Sequence, residues 1–85
     1  MDTITPAQIR AARGLLGLTR DQLVEKSGVP KSTLVRVESE TVTARASTIE
    51  AIRTALEAAG VEFIPENGGG VGVRLISREG THTNV

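Results

Sequence analysis

The stretch TRDQLVEKSGVPKSTLVRVES, Thr19 to Ser39, leaves the chain few ways to fold. Thr19 and Gln22 stand three residues apart at the head of an apolar pattern carried by Leu23 and Val24. That is the capping box that opens a helix. Gly28 is the residue best able to take the left-handed conformation that stops one. After Val29, the run from Pro30 to Glu38 points Leu34 and Val37 inward and spreads Lys31, Ser32, Val35 and Arg36 over the outer faces. Two short helices meeting at a glycine cannot bury their apolar sides on each other alone. The rest of the chain has to supply a core for them.

It has little material to do so. At 85 residues the chain makes one small domain with a single core. The sequence predicts a helix on each side of the central pair. Thr5-Pro6-Ala7-Gln8 combines a hydroxyl cap, proline at the first helical position and glutamine three residues after the cap. Ile9, Ala12 and Leu16 then share a face up to Gly17. Thr41 to Ala46 reads as a loop, and Ser47-Thr48-Ile49-Glu50 as a third capping box. From it Ile49, Ile52, Leu56 and Ala59 keep helical spacing to Gly60.

Beyond Gly60 the period changes from helical to alternating. VEFI and VGVRLI flank PENGGG, which predicts a β-hairpin with a flexible turn. Alternation places Val61, Phe63, Val73 and Leu75 on a buried side and Glu62 and Arg74 in water. Two strands alone are marginal, so the hairpin is expected to pack on the helices and also to offer its open edge to a second copy or a protein partner. The final SREGTHTNV has no pattern and is expected to be a disordered tail. The predicted organisation is a helical domain over 1–60, a hairpin extension over 61–76 and a tail over 77–85.

Composition removes several function classes. Without cysteine there are neither disulfides nor thiolate metal sites, and a reducing compartment is permitted. No apolar run approaches the roughly 20 residues needed to cross a bilayer, and MDTITPAQIR has no signal-peptide pattern, so a cytoplasmic protein is expected. Phe63 is the only aromatic residue, too few for stacking single-stranded bases. His82, the only histidine, falls in the predicted tail, where no scaffold can hold it for catalysis or metal binding. GGGVG lacks the lysine and the strand–helix context of a phosphate loop. No enzymatic role, cofactor or metal is expected. The formal net charge is zero, which denies the whole molecule long-range steering while allowing a local patch.

IRAARGLLGLT, DQLVEKSGV and STLVRVES, in that order and spacing, resemble the Cro/cI or XRE helix-turn-helix family from Ala11 to about Ala59. LEAAGVEFIPENGGGVGVRL is similar to the end of a subset of small bacterial members. The resemblance implies a mainly α fold, four helices of the lambda-repressor type followed here by the C-terminal β-hairpin. It also implies a transcriptional regulator whose third helix reads duplex DNA in the major groove, as a possible homodimer. The family's base-reading positions fall on Lys31, Ser32 and Arg36, with Val35 beside them to meet a thymine methyl or a protein. Arg20 and the loop residue Arg45 are placed near phosphate. Arg13 and Glu38 are the family's structural pair joining the first helix to the third, and Arg53 is read as a solvated helix face.

This sequence departs from the family pattern at Pro30, where a hydroxyl cap is common, at Leu18, and at Ser39-Glu40, where Asn-Gly is frequent. Across Thr19 to Glu40 four basic residues meet four acidic ones. That balance keeps a second reading open, a regulator resembling the small antiactivators of integrative and conjugative elements. Such a protein would use the scaffold to bind and inhibit another protein, for example a transcriptional activator of a mobile element, in place of DNA.

Overall fold

The computed structural model describes residues 3–76, so the expected tail and His82 lie outside the described residues. Four helices come first: α1 (Pro6–Leu16), α2 (Arg20–Ser27), α3 (Lys31–Glu38) and α4 (Ala46–Ala59). Strands β1 (Val61–Ile64) and β2 (Gly72–Leu75) follow as one antiparallel pair. Among the described residues no helix is long and apolar enough to cross a membrane.

The first two helices start as their sequences dictate. Thr5 Oγ1 accepts from Gln8 N at 3.1 Å while Gln8 Oε1 accepts from Thr5 N at 2.8 Å. Thr19 and Gln22 repeat the exchange at 3.1 and 2.9 Å. Each box satisfies amides that a helix end otherwise leaves open. Gly28 ends α2 at φ 76°, where a Cβ would be strained. Pro30 then stands at the N-cap of α3 with no side-chain cap bond.

The start of α4 differs from expectation. Ser47 does not cap it: the helix begins at Ala46 with Arg45 at the N-cap and no side-chain cap bond. Alanine favours the helix more than any other residue, and Arg45 and Ala46 are exposed, so water can serve the first amides without a hydroxyl. Between α3 and α4, Glu40 takes φ 62°, the left-handed conformation that the more usual glycine would adopt freely.

The core lies between the helices and one face of the hairpin. Ile9, Leu23, Leu34, Ile52 and Leu56 are fully buried, and Val61 and Phe63 of β1 join the same cluster. Each large side chain so buried contributes about 1.5–3 kcal/mol of transfer free energy. The strand register pairs Val61 with Leu75, Glu62 with Arg74, Phe63 with Val73 and Ile64 with Gly72. Glu62 and Arg74 face water as expected and form an ion pair at 3.0 Å.

The expectation that Leu75 is buried is corrected, since it is 53% exposed, while Val73 is half-buried. β1 packs on both α4 and α1, whereas β2 packs on α1 alone among the substantial contacts, and that cover does not extend over Leu75. Arg53 is likewise no plain solvated residue. Its guanidinium carbon lies 5.9 Å from the centre of the Phe63 ring, and its Nε donates to Glu57 at 3.0 Å.

The hairpin is also fastened through Gln8. Beyond its part in the cap, its buried amide donates from Nε2 to Gly72 O at 2.7 Å and Ile64 O at 3.2 Å. One side chain thus fixes the head of α1 and both strands where the turn leaves them.

Candidate nucleic-acid interface

The inward side of α3 is set by Leu34, Val37 and Glu38, which are 0, 2 and 1% exposed. A carboxylate out of reach of water is tolerated only when charged donors replace its hydration. Arg13 supplies two, Nε to Oε2 at 2.7 Å and Nη2 to Oε1 at 2.9 Å, in the bidentate geometry a guanidinium favours. Arg20 adds a third from Nε to Oε1 at 2.7 Å. Burial pushes the Glu38 carboxyl up, but the hydrogen bonds and charges of Arg13 and Arg20 outweigh it and hold the group below its ordinary value.

Neighbouring bonds extend this knot. Arg13 Nη1 donates to Leu18 O at 3.1 Å, across the turn between α1 and α2. Arg10 Nη1 donates to the Glu38 carbonyl and lies 3.6 Å from Glu40. The carbonyl of Arg36 accepts from Thr41 N at 3.1 Å, Ser39 Oγ at 3.2 Å and Thr41 Oγ1 at 3.3 Å, which finishes the C-terminal end of α3. No described side-chain polar atom that is buried lacks a partner. Because residues of α1, α2 and α3 all meet at Glu38, the outer face of α3 is backed by a fully hydrogen-bonded buried carboxylate.

On that face Lys31, Ser32 and Arg36 are exposed and Val35 is half-buried. Ser32 and Arg36 are one turn apart, as are Lys31 and Val35, so the four form two adjoining rows. Arg20 opens α2 and Lys31 opens α3, and both line one open notch with Arg13, Thr19 and Asp21. Arg45 is exposed at the N-cap of α4. The cations differ in how far they are engaged. Arg20 gives its Nε to Glu38 while keeping its side chain 41% exposed, and Lys31 Nζ lies 2.9 Å from Asp21 Oδ1. Arg36 and Arg45 have no ion pair among the described residues.

Sequence reasoning anticipated the Arg13–Glu38 pair through the family resemblance but not the part of Arg20 in it. Arg10 and the second role of Gln8 were also missed. Arg10 lies three residues before Arg13, hence on the same side of α1. That spacing was the available signal for Arg10. Gln8 carried no signal for its strand contacts, because its acceptors are backbone atoms 56 and 64 residues away.

Comparison with curated proteins returns no match. A family model described as helix-turn-helix matches residues 9–62, from the middle of α1 through the first residues of β1. With four helices in this arrangement and the match covering more than half of the chain, the protein belongs to the helix-turn-helix family of the Cro/cI (XRE) type, as a small member with a C-terminal β-hairpin.

Proposed function

We propose that the protein is a transcriptional regulator that binds duplex DNA, with α3 lying in the major groove. The observation that carries this reading is the division of α3 into two sides. Leu34, Val37 and Glu38 are tied into the core, while Lys31, Ser32 and Arg36 stand exposed on the opposite side. In helix-turn-helix docking the second helix of the motif enters the groove and the first crosses the backbone. Arg36 and Lys31 then donate to guanine edges, Ser32 pairs with whichever base it meets, and Val35 packs on a thymine methyl. Arg20 and Arg45 approach phosphates, which position the helix without reading sequence. A homodimer would add the free energies of two half-sites.

A second reading is favoured by one feature. Leu15 near the end of α1, Leu75 in β2, and Val71 and Ile76 on either side of β2 are exposed large apolar residues outside the α3 face. Such surface suits a protein partner, as an antiactivator would require. The two readings part in one titration, binding of the full chain to pooled genomic duplexes at low and high salt beside a pull-down from the native cell. A DNA binder loses affinity with a slope of roughly −0.9 in log K per log salt for each phosphate neutralised. Undetectable duplex binding together with a stoichiometric protein partner would decide for the second reading.

A further inference from the structure

We infer that Asp21 holds Lys31 away from DNA and thereby limits both the affinity of α3 and its base preference at the position Lys31 faces; this rests on the reading of α3 as the groove-reading helix. The two α3 cations on the exposed face are not equivalent. Arg36 has no acidic partner among the described residues, whereas Lys31 Nζ is 2.9 Å from Asp21 Oδ1. The notch that Lys31 and Asp21 line also contains Arg13 and Arg20, both already donating to Glu38, so Lys31 is the cation in it that Glu38 does not claim. Asp21 claims it instead.

The pair is exposed, at 59 and 75% of the two side chains, and an exposed ion pair is weak enough to be exchanged for another partner. When a guanine edge or a phosphate takes the ammonium, the Asp21 carboxylate is left facing the polyanion. Binding therefore carries the loss of one ion pair and an added repulsion that Arg36 does not incur. Asp21 also lies in the first turn of α2, where a negative charge complements the helix dipole. That role acts on stability and leaves the DNA preference of Lys31 untouched, so the two are separable by measurement.

The test uses the full chain as wild type, Asp21→Asn, Lys31→Ala and the double variant. Affinity for a duplex selected by the wild-type chain is read by fluorescence anisotropy over a range of salt, and melting is followed in parallel. Asp21→Asn should bind about two- to fivefold more tightly. The gain should shrink as salt screens the exposed charges. It should be clearly smaller when Lys31 is already alanine, where only the repulsion of phosphate is left to relieve, and discrimination should sharpen at one base pair only. An equal gain in the Lys31→Ala background would show that the acid acts by repelling phosphate without holding the lysine, and would overturn the inference. So would an Asp21→Asn chain whose binding is unchanged while wild type binds. A wild-type chain that binds no duplex at any salt overturns the underlying reading and this inference with it.

Discussion

Replacing Glu38 by alanine removes one carboxylate from two arginines, and Arg13, whose side chain is 19% exposed, cannot turn fully to water. The expected loss is about 1–3 kcal/mol, less than for a wholly buried pair because Arg20 keeps access to solvent. Chemical denaturation measures it, and an unchanged midpoint would refute the structural role. The pH dependence follows from the direction of the shift. The folded state holds the Glu38 carboxyl below its ordinary value of 4.5, so the unfolded chain takes up the proton first as pH falls. The contribution is complete well above 4.5, begins to fade as pH falls through that value, and is gone once pH passes below the depressed folded value. Glu38→Gln should flatten this acid limb of stability. Substituting Arg36 instead, which has no ion pair to lose among the described residues, should leave melting nearly unchanged and relax preference at one base pair. Arg20→Ala is the less clean probe, since it touches Glu38 as well as the proposed phosphate contact.

The helix ends make sharper predictions than the helix bodies. Thr5→Ala and Thr19→Ala each remove an observed cap bond and should cost about 1 kcal/mol, while Ser47→Ala, in α4 but capping nothing, should stay within a few tenths. Thermal melts of the three variants would check this ordering. Glu40→Gly relieves a left-handed residue at the close of α3 and should stabilise by roughly 0.5–1 kcal/mol, net of its long contact with Arg10. These contrasts also mark how much could be read in advance. The caps of α1 and α2 were legible because their donors and acceptors lie three residues apart in the chain. The start of α4 was not, because Ala46 and Ser47 offer adjacent places to begin and the choice turns on propensity and solvent. Alternation told which side of β2 Leu75 shares with Val73, but not whether a helix reaches far enough to cover it. For the proposed interface, exposure of Lys31, Ser32 and Arg36 was legible from helical spacing. The engagement of Arg20 by Glu38 and of Lys31 by Asp21 was not, since both are set by how α2 and α3 cross.

At the scale of the molecule, the hairpin completes the helical core. Val61 and Phe63 are 1 and 6% exposed against α1 and α4, so a chain ending at Gly60 uncovers the apolar face they close. Such a truncation should lower the melting temperature clearly, and one that melts with the full-length chain would show the hairpin to be dispensable for the core. Gln8→Ala is the milder version. It strips a donor from two strand carbonyls and an acceptor from the α1 cap, and should cost about 1–3 kcal/mol, with faster amide exchange in the hairpin. The same glutamine joins segments that are made at different times during synthesis. A chain leaves the ribosome N-terminus first. Gln8 can cap its own helix as soon as it emerges, but the acceptors for its amide hydrogens follow 56 and 64 residues later. Until Gly72 has been added, the Gln8 amide lacks the nearer of its two strand acceptors and β1 lacks its partner strand. The helix-turn-helix motif is therefore translated well before the last contact that steadies α1, and a nascent chain stalled ahead of the second strand would carry the motif without its finished support.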